Sequence, residues 1–243
     1  MRKSILLSIL AIIIILTIPT KDCMAQKTNI YLIPGQGSDY RVFQKLEFDT
    51  AKFEVKHIKY LLPDEGMKMN EFAKKLANQI DTSKKFIIIG YSLGGMLATE
   101  MSSFLKAEKI IVISSAKSKD ELPNKYTFQT KFPIYKLVNA DLAKWGALNF
   151  QEIVEPDSKN EKEIFSSMLN DKNPEFLKRS ISMIINWDRE IYPSSIIHIH
   201  GNKDNTLPIE NIDFDYLIPD GSHMMVLTRA KEVSVVLKDI LND

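Results

Sequence analysis

The segment FIIIGYSLGGML, Phe86 to Leu97, sets a serine between two glycines, Gly90 and Gly94, directly behind an apolar run. A serine hydroxyl is a weak nucleophile until a base takes its proton, and the base needs a carboxylate to orient it. Gly-x-Ser-x-Gly at a strand-to-helix turn suits Ser92 to that chemistry. The sharp turn projects the hydroxyl away from the sheet. Gly90 and Gly94 let strand and helix pass close together. The helix start supplies N–H groups without intrahelical partners, so the Leu93 amide is aimed at a developing oxyanion.

Four histidines compete for the role of base. His57 lies in an early edge strand, ahead of the serine. His198 and His200 lie inside IIHIH, where satisfied core or supporting roles are the usual ones, and no third ligand stands near to make a metal pair of them. His223 follows Pro219-Asp220-Gly221-Ser222 in a loop before the closing helix, where a mobile base belongs. Among the carboxylates, Asp204 follows a strand through Gly201-Asn202-Lys203. Asp188 falls in an inserted region, Asp213 and Asp215 flank the start of a strand, and Asp220 is too near His223 in a tight turn to be favoured. The preferred set, Ser92, Asp204 and His223, runs in the chain order of α/β-hydrolases.

These residues need a scaffold. Asn29–Ile33, Phe86–Ile89, Lys109–Ile113 and Ile196–Ile199 read as buried strands. Phe53–Ile58 alternates like a sheet edge, and Asp215–Ile218 is a short last strand. Helical spacing marks Asn70–Ile80, Leu93–Leu105 and Arg229–Leu241. Apolar strands alternating with helices imply a parallel sheet of about six strands covered on both faces. From Lys117 to Tyr192 no strand is evident. Helical patterns at Glu161–Leu169 and Pro174–Ile185 and a wealth of aromatic residues (Tyr126, Phe128, Phe132, Tyr135, Trp145, Phe150, Phe165, Phe176, Trp187) read as an inserted helical cap, longer than a crossover needs.

The N-terminus is of another kind. Met-Arg-Lys precedes an uncharged run from Ser4 to Ile18, and Cys23-Met24-Ala25 offers a small-residue exit. This is the pattern of a secretory signal peptide over residues 1–25, with an uncleaved membrane anchor as the alternative and lipid attachment at Cys23 less favoured. Export to periplasm or medium is expected. Loss of Arg2, Lys3, Lys21 and Asp22 would turn the formal charge of +1 into −1. It would also remove Cys23, the single cysteine, leaving no disulfide, thiolate nucleophile or cysteine-bound metal. A near-neutral chain without a basic stripe is not expected to bind nucleic acid. Membrane contact is expected only through an uncleaved N-terminus. Oligomeric state is left open, and no cofactor or metal is implied.

Gly-Tyr-Ser-Leu-Gly-Gly at Gly90–Gly95, His-Gly-x-x-Asp at His200–Asp204 with Pro208 after it, and Gly-Ser-His at Gly221–His223 together resemble the α/β-hydrolase fold superfamily. The similarity is to its small single-cap members, which include serine carboxylesterases and the MenH-like lyases. It covers about Thr28 to Leu241. The resemblance implies an α/β-hydrolase domain over 26–243 with a cap at about 117–192. It implies a serine hydrolase acting on small or medium carboxylic esters through an acyl-enzyme. The alternatives are a MenH-like lyase or thioesterase with the same triad, or a non-catalytic relative that binds a small ligand. It also implies a second oxyanion donor, the Gln36 amide, from a loop usually read His-Gly-x-Gly and here Pro34-Gly35-Gln36-Gly37. Two departures mark a trimmed member: the usual first two strands are absent, and the stretch from Asp204 to His223 is short. Tyr91, Met96, Met224, Met225 and cap aromatics are expected to form an apolar acyl pocket, with Tyr91 and Met224 as named contacts.

Overall fold

The computed structural model describes residues 27–132, 139–149 and 159–243. The N-terminal segment read as a signal peptide lies outside these residues, as do Tyr135 and Phe150. Six strands form one sheet: β1 (Thr28–Ile33), β2 (Phe53–His57), β3 (Phe86–Tyr91), β4 (Lys109–Ile113), β5 (Ile196–Gly201) and β6 (Tyr216–Ile218). Their order is β2-β1-β3-β4-β5-β6 and every pairing is parallel. Ile33 opposite Gly90, and Tyr91 opposite Ile113, bring three strand ends to one edge.

The apolar runs FIIIGY and KIIVI follow from burial on both sides. Alternate residues divide between two clusters. Tyr31, Ile33, Ile88, Ile110 and Val112 pack with Phe72 and Leu76 of α1 (Met69–Ala77) and Leu97 and Met101 of α2 (Leu93–Met101). Ile30, Leu32, Ile87, Ile89 and Ile111 pack on the other face with Val233, Leu237 and Ile240 of the closing helix. Edge strand β2 is only half buried, as its FEVKH alternation requires.

Between β4 and β5 the described residues form four helices: α3 (Asn124–Lys131), α4 (Ala140–Asn149), α5 (Lys159–Asn170) and α6 (Pro174–Ile185). The start of α6 is written in Asn173-Pro174: the Asn173 side chain accepts from the Glu175 amide, and proline occupies the first turn, where no N–H is needed. α6 buries Phe176, Leu177, Met183 and Ile184. Its exit is pinned where the Trp187 Nε1–H donates to Glu100 Oε1 of α2 at 2.7 Å. After β6 come α7 (Met225–Thr228) and α8 (Ala230–Asn242). Only a short 3-10 turn, Ile209–Asn211, separates β5 from β6, as the short Asp204–His223 spacing predicts.

Crowding is greatest where β1, β3 and α2 meet. A Cβ on Gly90 would lie 2.3 Å from the Gly94 carbonyl oxygen, and one on Gly94 would lie 2.1 Å from that of Ile33. Both neighbours are backbone and cannot step aside. Gly146, inside α4, has nothing within 4 Å. Gly94→Ala should therefore destabilise by about 3 kcal/mol or more, beyond ordinary overpacking. Gly146→Ala should stabilise by about 0.5–1 kcal/mol through helix propensity. Paired urea denaturation curves would check both.

Candidate active site

Ser92 joins β3 to α2 with φ 52° and ψ −121°, a region that costs a non-glycine residue about 1–3 kcal/mol. Contacts on several sides hold it there. Its N–H donates to Ile113 O at 3.0 Å, and its carbonyl accepts from Gly95 N at 2.8 Å and from Ser115 Oγ at 2.7 Å. Ser115 follows β4, so the neighbouring strand end fixes the turn. Leu93 is the first residue of α2, and the usual i−4 acceptor for its amide is missing there.

His223 and Asp204 arrive from the ends of β6 and β5. His223 Nδ1 lies 2.8 Å from Asp204 Oδ2, and His223 Nε2 lies 2.9 Å from Ser92 Oγ. A carboxylate only accepts, so Nδ1 carries the proton and Nε2 presents its lone pair to the serine hydroxyl. Asp204 Oδ1 accepts from the Thr206 and Leu207 amides, each at 2.8 Å. Burial pushes the Asp204 carboxyl up. The charge and hydrogen bond of His223, the Leu207 amide and the charge of His200 together outweigh it and leave the carboxyl below its ordinary value. The arrangement can pass a proton from Ser92 to an imidazole whose orientation is set by a buried carboxylate.

The other candidates are placed elsewhere. Asp188 is exposed and pairs with Lys68. Asp213 points to Lys117. Asp215 Oδ2 accepts from the His198 amide at 2.7 Å, and the Asp220 amide donates to Asn202. His57 packs against Tyr40 and Phe43.

The loop Pro34–Gly37 lies over the serine turn. A Cβ on Gly35 would stand 2.8 Å from the Tyr91 ring and 3.2 Å from Ser92 Cβ. The Tyr60 hydroxyl donates to Pro34 O at 2.5 Å. The Gln36 side chain reaches into the cap, where Nε2 donates to Leu177 O at 3.0 Å and Ser180 Oγ at 2.8 Å. The residue expected to supply a backbone amide thus also ties the loop to α6, a link that only the fold reveals.

A cavity of about 200 Å³ opens beside Ser92, His223 and Gln36. Its far wall is apolar: Met96, Tyr126, Phe165, Leu169, Leu177 and Ile184. Tyr91 and Met96 line it as expected. Met224 and Met225 do not: they are 2% and 0% exposed and pack with the α8 face of the sheet. The chain turns into α7 directly after His223, which carries both methionines into the core. Of the described cap aromatics, only Tyr126 and Phe165 reach the cavity. Phe176 packs at a tilt against Tyr60, Trp187 is bound to Glu100, and Phe128, Phe132 and Trp145 are exposed. The sequence signal for the missed wall was the spacing of Leu177 and Ile184, two turns apart on one face of α6. A wider groove of about 740 Å³ between Gly66 and Arg179 is lined by charged side chains, and none of the Ser92 group reaches it.

The backbone as a whole superposes on a thermophilic esterase from Thermogutta terrifontis with a TM-score of 0.70 at 15% identity, covering 89% of this chain and 90% of that one. The chain has the α/β-hydrolase fold. A hydrolase from Pseudomonas aeruginosa is similar at a TM-score of 0.67 and 15% identity, over 90% of this chain and 91% of that chain. The esterase EaEST from Exiguobacterium antarcticum is similar at 0.66 and 14%, over 90% and 93%. In sequence, the chain is 27% identical over 175 residues to a pimeloyl-[acyl-carrier protein] methyl ester esterase of Wigglesworthia glossinidia brevipalpis. That match takes in 60% of this chain and 65% of the relative's length. No family model matches the chain.

The lowered proton affinity of Asp204 has a consequence for stability. Its contribution is complete above the unfolded carboxyl value of about 3.9 and is lost as pH falls through the lower folded value. The stability gap between wild type and Asp204→Asn, read from urea midpoints, should be open at pH 5 and above and should close as pH falls below about 4.

Proposed function

We propose that this chain is a serine hydrolase that cleaves small or medium, uncharged carboxylic esters. The observation that carries the reading is the unbroken contact series from Ser92 Oγ through His223 to Asp204, at 2.9 and 2.8 Å. The fold and the esterase relative in sequence support the same reading.

In the proposed cycle Ser92 Oγ attacks the ester carbonyl carbon as His223 Nε2 takes its proton. Asp204 holds the imidazole and stabilises its cation. The Leu93 and Gln36 amides receive the oxyanion, where loss of one such donor typically costs ~10²–10³ in rate. His223 then protonates the departing alcohol. Water, deprotonated by the same imidazole, releases the acyl group from Ser92. Among the described residues that line the cavity there is no Asp, Glu, Lys or Arg, so a charged acyl tail would find no ion-pair partner among them. A volume of about 200 Å³ accommodates roughly six or seven groups of water or methylene size.

We further propose that residues 1–25 direct export and are removed. An N-terminal sequence beginning at Gln26 on protein recovered from the expressing cells would support removal, and one beginning at Met1 would sink it.

The catalytic reading predicts that a fluorophosphonate probe labels the wild-type protein and not Ser92→Ala. Turnover of p-nitrophenyl esters should fall at least ~10⁴-fold in Ser92→Ala. It should also decline for acyl chains beyond about six carbons. No labelling of folded wild-type protein would move the reading to a non-catalytic ligand-binding relative. Labelling without ester turnover would favour a lyase or thioesterase using the same residues.

A further inference from the structure

Beside Asp204 lie two buried histidines that the proposed cycle does not use. His198 and His200 are both 0% exposed, and all four ring nitrogens have a neighbour. His198 Nδ1 is 3.1 Å from Asp213 O, and His200 Nε2 is 2.9 Å from Leu207 O. A carbonyl oxygen can only accept, so each of these nitrogens carries a hydrogen. A neutral imidazole has one N–H, and each ring has now placed it. The remaining two nitrogens, His200 Nδ1 and His198 Nε2, face each other at 3.3 Å. With both rings neutral, two lone pairs point at one another in a space closed to water. The Ser115 amide donates a long, weak hydrogen bond to His198 Nε2 at 3.5 Å, which leaves the His200 Nδ1 lone pair still facing that nitrogen. One additional proton on this axis turns the repulsion into an N–H···N hydrogen bond.

The charge that such a proton brings has a counter-ion. His200 Nε2 is 3.7 Å from Asp204 Oδ2, the same oxygen that lies 2.8 Å from His223 Nδ1. We propose that His198 and His200 form a second proton-binding site, holding one shared proton between them, and that His200 is a positioning residue which competes with His223 for the negative charge of Asp204. The proposal for His223 rests on its reading as the base; the proton count does not.

The surroundings set when the site fills. Burial pushes His198 well down, and the charges of His200 and Lys117 add to this. Burial also pushes His200 down, against the pull of Asp204. Lys117, from the segment after β4, is itself paired with Asp213 at 3.3 Å and lies over the Tyr192 ring. Glu121 binds the Lys117 amide, Asp215 binds the His198 amide, and Tyr126 of α3 faces Asp204. The extra proton therefore enters below the ordinary histidine value of about 6.5. Because one carboxylate serves two imidazole systems, the titrations are coupled: a proton on the pair opposes a proton on His223.

The chain has four histidines, so nitrogen-15 spectra of the full chain labelled at histidine resolve each ring. As pH falls below the ordinary histidine range, one ring of the His198–His200 pair is expected to show both nitrogens protonated. His200→Gln keeps an N–H donor for Leu207 O and removes the nitrogen that faces His198. In that variant the titration midpoint of His223 should rise by about half a unit or more, since a cation near Asp204 has gone. His198→Asn, which keeps the donor to Asp213 O, should raise it in the same direction. If each ring of the wild-type pair keeps a single protonated nitrogen down to the acid unfolding transition, the proposal is overturned, even where the variants fail to fold. If His223 titrates unchanged in folded His200→Gln, the competition for Asp204 is overturned. These readouts need no turnover, so a failure of the esterase reading would be seen separately.

Discussion

The close approach of three backbones at Ser92 governs this molecule. β3 ends in a turn so tight that Gly90 touches Gly94, and Gly94 touches Ile33 of β1. That crowding permits no side chain at either glycine. It leaves Ser92 in a strained left-handed conformation that no local sequence preference would choose. The strain persists because Ile113 and Ser115 at the end of β4 and the first turn of α2 hold the residue from different sides. The apolar runs of β1, β3 and β4 therefore stabilise the domain and also keep one serine in a geometry it would otherwise leave.

Sheet order explains the rest of the site. β4 lies between β3 and β5, so Ser92 and Asp204 come from strands that do not touch. His223 spans the interval from the loop after β6. The space beneath is filled by Ser115, His198 and His200. Ser115 Oγ binds the Ser92 carbonyl and His200 Nε2 lies 3.7 Å from Asp204, and this is how a buried carboxylate comes to lie between two imidazole systems. The cap closes the opposite side. Gln36 joins the Pro34–Gly37 loop to α6, and Trp187 joins the end of α6 to Glu100 of α2. The cavity wall is thereby held at both ends by hydrogen bonds to the parts it must face.

Much of this was legible in the chain. The strand KIIVI begins and ends where its apolar run places it, and α6 spans Pro174–Ile185 as its helical pattern predicts. Other parts were hidden for physical reasons. α3 and α4 show little segregation of apolar from polar residues, so a 3.6-residue period was not visible in them. Leu93–Leu105 stops early, at Met101, because Ser103 and Phe104 bond to carbonyls three residues back and the chain leaves the four-residue pattern there. Met224 looked like a pocket residue because it adjoins His223. One residue on, it is carried into the core on the α8 face of the sheet.

Residue types and their spacing alone determined a parallel sheet, a serine at a strand-to-helix corner and a late loop histidine. Each of these is a local property: burial on two faces demands unbroken apolar strands, and close backbone passage demands glycine. Tertiary structure alone decided which of several aspartates meets His223, which apolar side chains wall the cavity, and that two core histidines face each other behind the carboxylate. Those facts depend on distances between residues tens or hundreds of positions apart. Strand order and cap placement set such distances, and no local pattern in the chain encodes them.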